Sequence, residues 1–145
     1  MSAYIQFFIK VDSKFIPIAE YSRSNILYQI GSEAGAPWEK VRLVSENFKG
    51  YVRTLLKDQI ENYQAAIEYY ENLCKTIVEM NNSVSEKMEA LSDVRADREE
   101  VEDELRHAKD MLADFNFMCR MTEDYNYPFY VGVEVGDLTE NDVIE

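Results

Sequence analysis

"MNNSVSE", residues 80–86, decides how the middle of this chain folds. On its N-terminal side, Val52, Leu56, Ile60, Tyr63, Ile67, Tyr70, Cys74 and Ile77 follow one another at spacings of four and three, alternating from Leu56 onward, the heptad seam of a long helix. On its C-terminal side a second seam runs through Val84, Leu91, Val94, Val101, Leu105, Ala108, Leu112, Phe115 and Cys119, interrupted by Lys87 and Arg98. Ser83 and Glu86 have the spacing of a capping box and two asparagines precede them, so the stretch reads as a helix-to-helix turn at 81–83. Helices over 45–80, capped by Ser45, and 83–121 then fold back on each other, with Tyr70 opposite about Val94 and Tyr63 opposite about Val101. Two rivals remain open at this point. With no Gly or Pro near 82, one helix of about 75 residues, about 110 Å long at 1.5 Å per residue, can instead pair between subunits. A turn within "SDVRADREE" (92–100), capped by Ser92, Asp93 or Asp97, would bring Cys74 near Cys119.

The ends of the chain have a different period. "AYIQFFIKV" (3–11) sets Ile5, Phe7, Ile9 and Val11 against Tyr4, Gln6, Phe8 and Lys10, the alternation of a strand with one buried face. "KFIPIAEY" (14–21) continues it, and "DS" at 12–13 makes the tip of a hairpin. Pro17 puts the second strand at a sheet edge or bulge, because proline has no N–H for the ladder. "PFYVGVEV" (128–135) returns to pair with the hairpin, since a lone two-stranded ribbon is barely stable. Between these ends, "NILYQIG" (25–31) reads as a short helix closed by Gly31, and "AGAPWEKVRLV" (34–44) as a connecting segment. The expected fold is therefore α+β in a single domain over 1–145: a β-hairpin and short helix in 1–44, a coiled-coil-like antiparallel helical hairpin in 45–122, a returning strand at 128–135 and an acidic tail at 136–145. Tyr51, Leu55, Tyr69, Leu73, Val78, Met111, Phe117, Met118 and Met121 lie off the seams and need cover. The sheet over the open end of the hairpin and a second copy along it are both expected to supply that cover, making a homodimer or larger assembly with Leu56, Ile60, Tyr63, Ile67, Tyr70 and Ile77 as its seam.

Charge narrows the function. The net charge is −13, and residues 1–44 hold five basic against four acidic residues, so the acidity belongs to the rest. A surface of that sign repels phosphate backbones, which argues against direct nucleic-acid binding; it either mimics nucleic acid toward a basic partner or only keeps long helices soluble. No run of about eighteen apolar residues suggests a membrane span, and "MSAYIQFFIKVD" lacks a basic leader, so a cytoplasmic protein is expected. Cys74 and Cys119 sit in helical apolar patterns and read as small core residues rather than a disulfide.

Catalytic chemistry is thinly represented. The single histidine, His107, stands three residues after Glu104, the spacing of carboxylate-bridged di-iron bundles, but among neighbours Glu99, Glu100, Glu102 and Asp103 that mark a wet face. Asp137, Glu140 and Asp142 of "DLTENDVIE" match no calcium loop. The expectation is a protein that is not an enzyme, with no cofactor and no metal. A better candidate lies at Ser22, Arg23, Ser24 and Asn25, just ahead of the short helix. If a serine caps that helix, its first N–H groups and the Arg23 guanidinium make the parts of a phosphate site, and Tyr21, Tyr28 and Trp38 could stack on a base. The plainer alternative is that Ser24 only caps, Arg23 pairs with a carboxylate such as Glu20, and the aromatics fill a core.

The hairpin leading into "IPIAEYSRSNILYQI" (16–30), the long acidic helical hairpin and the short final strand together resemble small uncharacterised proteins of bacteriophages and prophages. The resemblance implies a stoichiometric inhibitor of a host antiviral defence system, working in the host cytoplasm by binding a defence protein. A sponge for a small phosphorylated nucleotide signal, held at Ser22–Asn25, and a structural coiled-coil adaptor are the alternatives.

Overall fold

The computed structural model describes residues 5–21, 30, 40–133 and 143–144. The chain is α+β and divides into two compact units: one of residues 1–53 and 114–145, the other Thr54–Ala113.

The first unit is built on a sheet. Strands β1 (Ile5–Val11) and β2 (Lys14–Tyr21) form the expected hairpin. Its two-residue tip, Asp12 and Ser13, has φ of 50° and 69°, the left-handed pair that matches the twist of the flanking strands. Pro17 lies opposite Phe8, next to a register shift at Phe7/Phe8, and β2 is an edge strand, so both ways of accommodating a proline are used. The five strands run in the order β2-β1-β4-β3-β5, where β3 is Val41–Leu43, β4 is Phe129–Val133 and β5 is Val143–Ile144. Neighbours are antiparallel except β3 and β5, which are parallel.

Three features differ from the sequence reading. The connecting segment contains β3, too short to show alternation. Val143 and Ile144, read as part of an acidic tail, pair with Val41 and Arg42. The sheet also buries both faces: all five residues of β4 are buried, and Phe8, Val41 and Tyr130 form a cluster with Phe15 and Val143 against it. Of the short helix at 25–31, the described residue is Ile30, helical and buried.

Helix α1 spans Glu46–Glu79 and α2 spans Val84–Tyr125. Ser45 Oγ accepts from the Phe48 N–H (3.1 Å) and Ser83 Oγ from the Glu86 N–H (3.2 Å), so both serines cap at the N3 position. Met80–Ser83 lie outside both helices, which excludes the uninterrupted 75-residue helix; the continuity of α2 through 92–100 excludes the other turn. Both cysteines are free thiols. Helix α2 runs four residues past the expected end at 121. It closes on Asn126 at φ 58°, with the Tyr127 N–H donating to the Thr122 carbonyl (3.2 Å) and Pro128 following. That is a Schellman ending with Asn in place of Gly.

Within the first unit, the root of α2 packs on the sheet through aromatic edges. Phe115, 1% exposed, meets Phe7 with ring centroids 5.6 Å apart and Phe129 at 6.1 Å. Met118 and Cys119 are buried with them, so here the sheet supplies the cover that the off-seam Met118 needed.

Candidate functional site

The phosphate-site residues Ser22, Arg23, Ser24, Asn25, Tyr28 and Trp38 lie outside the described residues; Tyr21 ends β2 and is described. Its ring stands edge-on to Phe7 at 6.1 Å, and its hydroxyl is buried with no hydrogen-bond partner. Burial, with Asp114 nearby, pushes its pKa up to about 12. The other orphaned buried polar atom among the described residues is Arg42 Nε on β3.

Sequence reasoning missed a buried cation in the same unit. Lys49, in the second turn of α1, has a side chain 8% exposed, and its Nζ bonds Glu46 (3.1 Å) and Glu123 (3.2 Å). Burial works against its charge, but the hydrogen bonds from these carboxylates outweigh it and hold its pKa above the ordinary lysine value. Burial also raises the Cys119 thiol against the opposing influence of Arg53 and Lys49, so the thiol stays protonated and inert. One turn beyond Lys49, Arg53 Nε donates to Asn116 Oδ1 at 2.8 Å. These groups bolt the roots of the two helices together; their spacing in the sequence, 74 residues for Lys49 and Glu123, hides the connection.

In the unit Thr54–Ala113 the seam lies between two helices of one chain. Leu56 and Ile77 are buried, while Ile60, Tyr63, Ile67 and Tyr70 are half-buried. The two residues that interrupt the second seam are cross-helix ties. Lys87 Nζ donates to the Val78 carbonyl (2.9 Å), capping the end of α1, whose last turn has no basic residue. Arg98 reaches Glu71 (3.0 Å) across the seam and Glu102 (2.8 Å) one turn along α2. The symmetric count from the turn puts Glu71 opposite about residue 93, not 98. Side chains lean toward the N-terminus of their own helix, hence in opposite directions on antiparallel helices, and two long ones meet about a turn out of backbone register.

Beside Arg98 lies a groove of about 410 Å³ with an apolar floor of Cys74, Val78 and Leu91 and a rim of Lys75, Arg95 and Glu79. Arg95 and Lys75 are exposed and have no ion pair among the described residues, an excess of positive charge on an acidic chain. Around the turn Val78, Met80, Val84 and Met88 are 48–74% exposed. Glu104 and His107 are both exposed, and among the described residues no group of three or more His, Cys, Asp or Glu is placed to hold a metal. No helix among them is long and apolar enough to cross a membrane.

No family model matches the chain, and neither a curated protein nor a solved structure matches it.

Proposed function

We propose that the protein acts by stoichiometric binding of a basic protein partner through the acidic coat of its helical hairpin, the mode an inhibitor of a nucleic-acid-binding defence protein would use. The observation that supports this reading is the placement of charge in Thr54–Ala113. That span holds fifteen acidic and seven basic residues, and all fifteen carboxylates are exposed. Three of them, Glu71, Glu102 and Asp103, are in ion pairs, and no other carboxylate of the span is paired among the described residues. An ordinary soluble helix tends to intersperse both signs and pair them. Unpaired carboxylates along a helical hairpin instead project a negative field, which steers a basic surface into register and is screened over about 8 Å at physiological salt.

Titration calorimetry with a Lys/Arg-rich peptide as the probe tests the reading. Affinity is expected to fall at least tenfold between about 50 and about 300 mM salt. Replacing Asp97, Glu99, Glu100 and Glu104 with their amides is expected to abolish binding while the helical circular dichroism is unchanged. Salt-independent binding, or a neutralised variant that binds as well as the parent, overturns it.

A further inference from the structure

One face of the hairpin carries its charges in an order that complements itself. On α1, Lys75 and Glu68 are seven residues apart, two turns along one face; on α2, Arg95 and Glu102 stand in the same relation. The positive members lie toward the turn and the negative members away from it. The midpoint of the first pair falls at residues 71 and 72, that of the second at 98 and 99. Glu71 and Arg98 are bonded to each other at 3.0 Å, so the charged ends of both pairs centre on one level of the hairpin, although their backbones are about a turn out of register.

We propose that this face is a two-fold interface between two copies of the chain, laid antiparallel with the axis at the Arg98–Glu71 bridge. A half-turn about an axis that lies in the face and crosses both helices sets α1 over α1 and α2 over α2 with their directions reversed. Lys75 then meets Glu68 of the second copy, and Arg95 meets Glu102 of the second copy, each contact occurring twice as an isologous interface requires. The parallel arrangement, with the axis along the helices, sets α1 over α2 at equal height and brings Lys75 against Arg95, which line one groove, so like charges reject it. The antiparallel pair gives Lys75 and Arg95 the carboxylates that no described residue of their own chain supplies. It also lays a second helical surface over the groove floor at Cys74, Val78 and Leu91, of which Val78 is 58% exposed. Val84 and Met88, 74% and 66% exposed, stand seven and three residues before Leu91 and so continue the same apolar strip. Each copy carries a charge of −13, but at physiological salt the long-range repulsion is screened within about 8 Å and the contacts inside the face remain. The interface does not rest on the basic-partner reading: of the fifteen carboxylates of Thr54–Ala113 its intermolecular contacts use Glu68 and Glu102.

Sedimentation equilibrium of the full chain at physiological salt tests the interface. The parent is expected to be a dimer at micromolar concentration. Lys75→Glu and Glu68→Lys are each expected to weaken it at least tenfold, because each replaces two attractions with two repulsions, and the double variant K75E/E68K is expected to restore it. All of these positions are exposed, so helical content should not change. Alkylation of Cys74 should slow as the dimer forms. A monomeric parent, a dimer indifferent to both single charge reversals, or a double variant that stays dissociated overturns the proposal.

Discussion

The two units are built from the same pair of helices and are stabilised by different means. In the sheet unit, Phe115, Met118 and Cys119 of α2 are buried against strands, and Lys49 and Arg53 of α1 are tied to Glu123 and Asn116. In the hairpin unit, most seam residues between Leu56 and Ile77 are only half-buried, and the ties, Arg98 to Glu71 and Lys87 to the Val78 carbonyl, sit on the surface. Two layers bury an apolar stripe from both sides; two helices alone bury it from one. The lesson is that helix length does not report stability along a helix. The sheet unit has a core buried from two sides, and the hairpin has a half-buried seam and uncompensated charge on its surface.

The sharpest way to break that contrast is Phe115→Ala. Phe115 is 1% exposed at the junction of α2 with Phe7 and Phe129, so its removal leaves a cavity that stiff strands cannot fill, at a cost of about 3–5 kcal/mol in denaturant unfolding. A loss below about 1 kcal/mol would show that the sheet unit is no better packed than the hairpin. The matching change in the hairpin is Ile67→Ala. Ile67 is half-buried, and the expected cost is smaller, about 1–2 kcal/mol. If a second copy covers the hairpin, the stability of parent and variant alike should rise with protein concentration, because association then adds to both.

A third test uses pH and concerns the sheet unit alone. Tyr21 has its pKa raised to about 12 by burial and by Asp114. The folded state therefore holds the phenol proton more tightly than the unfolded chain, whose tyrosines titrate near 10. Stability from this group is fully present below about pH 10 and is lost as pH rises from there through about 12. Partial exposure screens the effect, so the loss is on the order of 1 kcal/mol, and Tyr21→Phe should abolish it. The same substitution removes a buried hydroxyl with no partner, so at neutral pH it should leave stability unchanged or slightly higher. A destabilised Tyr21→Phe protein would mean that the hydroxyl does find a partner in solution.

What could be read from the sequence follows the same division. The helix pair, its turn, both serine caps and the β1–β2 hairpin are local in cause: periodicity, a capping residue and a two-residue tip lie within a few positions of the structure they specify. The symmetric count from the turn did not give the cross-helix partners: Glu71 bonds Arg98 rather than a residue near 93, because long side chains on antiparallel helices lean in opposite directions. Strand β3 was not legible, because three residues carry no period, nor was β5, because its pairing with Val41 and Arg42 joins segments about a hundred residues apart. The site followed the rule from the other side. Arg98 and Lys87 stood in the sequence as flaws in a seam; a long cationic side chain that interrupts an apolar stripe on a hairpin can also reach past it to an acid or a helix end on the facing helix. Lys49 offered no such signal, since Glu123 lies 74 residues away.

The smallest expected effect probes how independent the hairpin is. Ser83 caps α2 through the Glu86 N–H and sits in the turn where the chain reverses, and Ser83→Ala removes that acceptor from an exposed helix start, at a cost of about 0.5–1 kcal/mol. Ser45 makes the equivalent bond to Phe48, but next to residues that the sheet unit buries. Hydrogen exchange separates the two cases: with Ser83→Ala, amides flanking the turn should exchange several times faster while those of β1 and β4 keep the parent's protection, because a local opening draws on local stability. With Ser45→Ala the amides of the sheet unit should respond too, since that cap belongs to the unit whose core includes Phe48 and Val52. If Ser83→Ala instead accelerates exchange evenly through β1, β4 and both helices, the hairpin does not open by itself, and the contrast between the two units fails.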